Sequence, residues 1–222
     1  MRPLREAAAM LAGATRLVRA RALPFALLVA IGFLAALALL PFDAGLLHVL
    51  TDNDTRALRD IARAISLWGD FPTGSLILSA ALWSLGTLAR RPRWRAAALA
   101  ALLASAIAGV TANCLRLTLG RPRPNAELPD GLYGPRNDHR YHAFPSGHSA
   151  TAMGSATAMA IALPPTAAPA VGAALAVGWS RIYLRQHHPS DVIAGFTLGI
   201  AAGIALGLSG RTRSQKPETG AR

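Results

Sequence analysis

Cysteine and lysine each occur once in this chain, as Cys114 and Lys216. A single cysteine excludes an internal disulfide and any zinc site built from several thiolates. Cys114 lies in an apolar run, where it reads as a small buried packing residue rather than a reactive thiol. Charge is also sparse, at 15% of residues, and 52% of the chain is hydrophobic. The net charge of +12 is therefore almost wholly arginine. Such an excess accompanies nucleic-acid binding, the cytoplasmic loops of membrane proteins, or anionic substrates. Nucleic acid is set aside, because no basic helix or interleaved aromatic-basic motif accompanies the arginines. Internal repeats and low-complexity segments are lacking too.

What the chain has in quantity is long apolar sequence. Its 222 residues fit one domain. Six apolar stretches, each near the length that crosses a bilayer as a helix, run from about Phe25 to Leu40, Phe71 to Ala89, Trp94 to Leu117, Ser149 to Leu163, Ala167 to Tyr183 and Ser190 to Ser209. The last two are rich in glycine and alanine, which lets membrane helices approach closely. The alternating short strands of a β-barrel are missing, and backbone in lipid must close its own hydrogen bonds. The expected fold is all-α: a polytopic membrane protein with six transmembrane helices in a compact bundle. Arg16, Arg19 and Arg21 before the first stretch resemble a signal peptide. The basic segment is long and lacks a clear cleavage site, so the stretch is read as an uncleaved span.

Arginine placement orients the bundle. Basic residues crowd the N-terminal segment (1–23), the turn at Arg90, Arg91, Arg93 and Arg95, and the tail (210–222). These flank a membrane domain at 24–209 and share one side, the cytoplasmic one. The tail from Ser209 to Arg222 reads as short and disordered. The first loop on the opposite side carries Asp43, Asp52, Asp54, Asp60 and Asp70. Within it, Leu58, Ile61, Ile65 and Trp68 recur at helical spacing and predict an amphipathic helix at the membrane surface. That helix is read as a packing element in preference to a substrate gate.

The remaining polar residues gather at the non-cytoplasmic ends of spans three to six, in three clusters. The first is Arg116-Leu-Thr-Leu-Gly-Arg121-Pro122-Arg123-Pro124. A guanidinium near the end of an apolar span either snorkels to the interface or meets an anion. The second is Pro145-Ser146-Gly147-His148 at a helix start, where free N–H groups and the positive dipole end favour an anion. Ser146 can cap the helix or bond a phosphate oxygen, Gly147 permits close backbone approach, and His148 can act as a general acid. An ordinary Ser-Gly helix start with a surface histidine is the plainer alternative. The third runs from Ser180-Arg181 through His187-His188-Pro189-Ser190 to Asp191. Asp191, four residues after His187, can accept its ring N–H, fixing the tautomer and leaving the other nitrogen to attack. Read plainly, these are loop histidines and a first-turn helix acid. His139, His142, His148, His187 and His188 lack the spacing of a helical zinc motif, and neighbouring arginines repel a divalent cation while welcoming phosphate.

Together the three clusters resemble the type-2 phosphatidic acid phosphatase superfamily. Its pattern is Lys, six residues, Arg-Pro; then Pro-Ser-Gly-His; then Ser-Arg, five residues, His, three residues, Asp. The second element is complete at Pro145 to His148, and the third at Ser180, Arg181, His187 and Asp191. The first departs once, with Arg116 standing where the family has lysine, and Arg123-Pro124 matching. The resemblance implies a multi-pass membrane lipid phosphatase without cofactor or metal, its site facing away from the cytoplasm of a bacterial-type inner membrane. The implied substrate is a lipid phosphate: a polyprenyl diphosphate, phosphatidic acid or phosphatidylglycerol phosphate. His187 is then the nucleophile, Asp191 its orienting acid and His148 the general acid and base. Arg116, Arg123, Ser146, Gly147 and Arg181 hold the phosphoryl group. The alternatives are a lipid phosphotransferase using the same histidine, a haloperoxidase as in remote soluble relatives, and a non-enzymatic anion-binding transporter.

Overall fold

The apolar stretches fold as helices whose ends obey local chemistry. The computed structural model describes residues 2–71 and 73–214. Among these, helices α1 (Arg2–Ala20), α2 (Ala22–Leu39), α3 (Asp43–Thr51), α4 (Arg56–Ser66) and α5 (Thr73–Leu88) form the first half. The second half comprises α6 (Pro92–Leu119), α7 (Gly147–Ala162), α8 (Ala167–Tyr183) and α9 (Pro189–Ser214). Prolines open α6 and α9, where an N–H has no helical partner to lose. Gly120 closes α6 in the left-handed conformation at φ 62°. Thr55 caps α4 by accepting from the Leu58 N–H at 3.2 Å.

Helices α6, α7 and α9 form the centre, and small residues decide how closely they pack. Gly195, Gly199, Gly203 and Gly207 recur every fourth residue and so share one face of α9. A Cβ added at Gly199 would lie 2.6 Å from the Ala150 carbonyl oxygen, and one at Gly203 would lie 2.4 Å from Thr157 Cβ. The α7 backbone thus rests directly on α9, as small-residue membrane interfaces permit. Ala97, Ala101, Ala104, Ala108 and Ala112 are buried along α6. Outside this centre, α8 lies against α7, α5 against α6, and α2 with α1 against α9. Large apolar side chains such as Leu27, Ile31 and Leu34 of α2 and Val110 of α6 face outward, as lipid-facing positions do. Cys114 is on this exposed surface too, which corrects the expectation of a buried packing role. An apolar helix in lipid has no need to bury all its faces.

The six apolar stretches correspond to α2, α5, α6, α7, α8 and α9. Among the described residues, three helical segments are long and apolar enough to cross a membrane, Ala22–Thr51, Pro92–Leu119 and Pro189–Thr212, and a fourth if the bent pair Arg56–Gly69 and Thr73–Leu88 counts as one span. Helices α5 and α7, of 16 residues each, are about 24 Å long, and α8, of 17, is little longer. All three fall short of the ~30 Å hydrocarbon core. The basic N-terminal segment is helical: Met10 and Ala14 of α1 are buried in the core cluster with Ala205 and Leu206 of α9. The tail expected from Ser209 onward instead continues α9 to Ser214. Ser209 Oγ donates to the Met10 carbonyl at 2.9 Å, so docking onto α1 holds this turn in place. The rest of the expected tail, 215–222, lies outside the described residues.

Candidate active site

Backbone pairing near the ends of α6 to α9 brings the three polar clusters together. Beyond Gly120 the chain lies alongside 140–143: Arg123 N–H donates to Arg140 O at 2.8 Å, and Ala143 N–H to Arg121 O at 3.0 Å. Ser146 N–H donates to Asp191 O at 2.9 Å, joining the start of α7 to the first turn of α9. Ser146 is fully buried; its Oγ caps α7 by accepting from the Ser149 N–H at 3.4 Å, and also accepts from Ser149 Oγ at 2.9 Å.

Arg116, in the last turn of α6, lines a cavity of about 290 Å³ with Asp70, Asn113, Gly147, His148 and Thr151. Its Nε donates to Asn113 Oδ1 at 2.8 Å. A Cβ at Gly147 would stand 3.1 Å from Arg116 Nη1, so glycine leaves the guanidinium its room. Arg123 Nη1 donates to Gln186 Oε1, and Arg181 Nη1 to Ser66 Oγ at 2.6 Å. The Nε atoms of both arginines are buried without a hydrogen-bond partner among the described residues. Buried donors left open are costly, so they mark a place built for an acceptor. Burial and the nearby Arg116 charge pull the Arg123 guanidinium below the ordinary arginine value, which an anion would relieve.

His187 lies in the bend between α8 and α9 with 1% of its side chain exposed. Its Nδ1–H donates to the Ala143 carbonyl at 2.7 Å, and its Nε2 has no hydrogen-bond partner among the described residues. Burial holds its pKa down at about 4; Asp191 opposes that shift and Arg181 and Arg123 reinforce it. The ring is therefore neutral at pH 7. The pairing expected from the sequence differs here, because Asp191 Oδ2 is 3.7 Å from His187 Nδ1, beyond hydrogen-bond reach. Asp191 instead accepts from the His188 backbone N–H at 2.7 Å and from Arg121 Nη1 at 2.8 Å. An acid in a first helical turn faces free N–H groups nearby, and those take it. Arg181, His187, Arg116 and Arg123 are near enough for their charges to bear on His148, so members of all three clusters converge on one region.

The PAP2 superfamily model matches residues 96–214, a stretch that holds every candidate residue. The chain belongs to the PAP2 superfamily. A decaprenylphosphoryl-5-phosphoribose phosphatase of Mycobacterium tuberculosis is 33% identical over 167 residues, covering 70% of this chain and 83% of that protein. A lipid A 1-phosphatase of Rhizobium etli is 35% identical over 94 residues, which span 41% of this chain and only 40% of that relative. Among solved structures, a PAP2-type phosphatidylglycerolphosphate phosphatase from Bacillus subtilis has the same fold. Its TM-score is 0.66 at 21% identity, over 87% of this chain and 98% of that one. LpxE of Aquifex aeolicus superposes with a TM-score of 0.57 at 23% identity, over 74% and 94%.

The PAP2 motifs do not include the residue that ties this site together. Arg121, with 2% of its side chain exposed, donates to Asp43 Oδ2 at 2.9 Å, Asp191 Oδ1 at 2.8 Å, Ser190 Oγ at 2.7 Å and both Asp130 oxygens. Burial disfavours its charge, but these carboxylates outweigh that and hold its pKa above the ordinary arginine value. Asp43 completes the knot by accepting from Ser190 N–H at 2.9 Å. Sequence reasoning placed Arg121 inside the first cluster without a task, and read Asp43 and Asp70 only as acids of the first loop. Ser66 and Gln186 were not singled out, since nothing in their spacing signals a partner more than 60 residues away.

Proposed function

We propose that this PAP2 chain is an integral membrane lipid phosphatase working through a phosphohistidine on His187. One observation carries the reading. A neutral, buried His187 has its Nδ1–H committed to Ala143 O, so the lone pair is on an unpartnered Nε2 among guanidiniums with open donors. A fixed tautomer with a free lone pair suits a nucleophile, and the arginines suit a dianionic phosphoryl group.

In the first step, Nε2 of His187 attacks phosphorus and the bond to the lipid oxygen breaks. His148 gives that oxygen its proton, and the lipid alcohol or lipid monophosphate leaves. In the second, His148 takes a proton from water, whose oxygen displaces His187 and releases inorganic phosphate. Arg116, Arg123 and Arg181, with Ser146 and the Gly147 N–H, hold the phosphoryl oxygens and stabilise the charge that develops on them. Asp191 fixes the nucleophile's loop through the His188 N–H and Arg121. No cofactor or metal enters these steps.

The substrate class is a phosphomonoester or diphosphate on a lipid, such as a polyprenyl diphosphate, phosphatidic acid or phosphatidylglycerol phosphate. The phosphatase names of the relatives support it. The site stands at the end of the bundle opposite the arginine-rich turn before α6, which supports an extracytoplasmic face in an inner membrane. The test is phosphate release by purified protein in detergent across a panel of these lipids, with no acceptor added. Wild type should release phosphate and His187→Ala should lose at least about 10³-fold in rate while remaining folded. Full activity in His187→Ala removes the mechanism. Turnover that appears only with an added lipid alcohol makes the protein a phosphotransferase.

A further inference from the structure

The first extracytoplasmic loop reaches into the site at a point that the family motifs leave out. After α4, a single 3₁₀ turn (Leu67–Gly69) lies on the start of α7. Thr151 Oγ1 donates to the Gly69 carbonyl at 2.6 Å. A Cβ at Gly69 would come within 2.4 Å of Val177 Cγ1 and 3.1 Å of the His148 carbonyl, so the turn can lie here only as glycine. The next residue, Asp70, is held by its own backbone, accepting from Gly74 N–H at 2.8 Å. Its carboxylate stands in the same cavity as Arg116 and His148, with Oδ1 3.8 Å from His148 Nε2.

The charge around His148 makes that placement informative. Arg181, His187, Arg116 and Arg123 all act on it, and every one that is charged is positive. A general acid must be an imidazolium, and three guanidiniums oppose a further positive charge. Other nearby carboxylates are occupied: Asp191, Asp43 and Asp130 are bound to Arg121. Asp54 and Asp60 pair with arginines on the outer face of α4. Among the described residues, Asp70 is the carboxylate within ion-pair distance of His148. A carboxylate inside a phosphate site weakens substrate binding, so its presence there needs a step that benefits from negative charge.

We propose that Asp70 is a positioning residue for proton donation: its carboxylate offsets the guanidiniums and lets His148 carry the proton that the leaving-group oxygen takes. This rests on the phosphatase reading above. Asp70 itself makes and breaks no bond. It favours the protonated His148 before the P–O bond breaks, through a negative charge 3.8 Å from Nε2. When that oxygen leaves as an alcohol, it needs the proton; when it leaves as an aryl oxide, it does not.

The experiment compares kcat/KM, which covers only steps up to departure of the leaving group, for a short-chain phosphatidic acid and for p-nitrophenyl phosphate. The purified full chain and its Asp70→Asn, Asp70→Glu and His148→Ala variants are assayed in the same detergent. Asp70→Asn should lower the value for phosphatidic acid by about 10- to 100-fold and for p-nitrophenyl phosphate by less than about threefold. Asp70→Glu should restore most of the lipid activity, and His148→Ala should show the same leaving-group dependence more strongly. Retained p-nitrophenyl phosphate kcat/KM in Asp70→Asn is the internal check on folding. Equal losses on both substrates, or none on either, overturn the proposal while wild-type phosphate release leaves the phosphatase reading intact. Absence of phosphate release from wild type overturns both.

Discussion

His187 and Ala143, 44 residues apart in the chain, meet at 2.7 Å through the imidazole Nδ1–H and a backbone carbonyl. A backbone oxygen cannot be protonated at any working pH and cannot be removed by a side-chain substitution. The tautomer is therefore set by the loop that pairs Ala143 with Arg121, while the nearby carboxylate of Asp191 serves another bond.

The depressed pKa of His187 fixes a sign. Its folded value of about 4 is below the ordinary histidine value of 6.5. The unfolded chain thus binds the proton first as pH falls. Stability should decline from about pH 6.5 down to about 4, seen as a falling thermal midpoint in detergent. The nucleophile stays neutral through that window, so kcat/KM should keep its activity below pH 6 and lose the His187 contribution only near pH 4. An acid limb in the wild-type kcat/KM profile centred near the ordinary histidine value of 6.5 would contradict this.

Arg116 stands where the family pattern has lysine, which makes the charge testable apart from the shape. Arg116→Lys should retain activity within about tenfold, since a cation still reaches the phosphoryl oxygens. Arg116→Ala should lose about 10²-fold or more in phosphate release. Loss in the lysine variant combined with activity in the alanine variant would take Arg116 out of the site.

Removing Arg121 should be felt in stability as well as in rate. Arg121→Met leaves Asp43 and Asp191 as unpaired buried carboxylates, with 2% and 0% of their side chains exposed. A loss on the order of 3–5 kcal/mol is expected, read as a lowered midpoint in thermal or denaturant unfolding. Asp130 is 57% exposed, so Asp130→Asn should cost less than about 1 kcal/mol. Comparable losses for the two variants would show that burial is not what makes the knot matter.

The α7–α9 contact offers a packing test. A Cβ at Gly199 meets the Ala150 carbonyl at 2.6 Å and the Gly154 nitrogen at 2.7 Å, both backbone atoms that have nowhere to go. Gly199→Ala should destabilise the protein by about 1–3 kcal/mol. Gly172 in α8 has nothing within 4 Å, so Gly172→Ala should be neutral or stabilising by about 0.5–1 kcal/mol. Thermal midpoints in one detergent compare them directly.

Much of the helix map was readable before any coordinates. Long apolar runs closed by Pro, Gly and Ser state their own secondary structure, because lipid leaves the backbone no other partner than itself. The family motif was readable for a related reason: a chain so poor in charge that still sets arginines and histidines at the ends of its spans must have a use for them. The helical start at Arg2–Ala20 was less visible, since its helix depends on Met10 and Ala14 finding α9 and α6. The same holds for the last turns of α9, which Ser209 ties to Met10.

Sequence alone determined which residues are apolar enough to cross lipid, where the long apolar helices lie, and which polar residues cluster at their ends. Those properties are local, written in hydropathy and in spacings of a few residues. Only tertiary structure decided that Ala143 rather than Asp191 accepts the hydrogen bond from His187 Nδ1, that Arg121 binds acids from three segments, and that Asp70 stands before His148. Such partners lie tens of residues apart, and a hydrogen bond specifies distance and angle, which periodicity cannot encode.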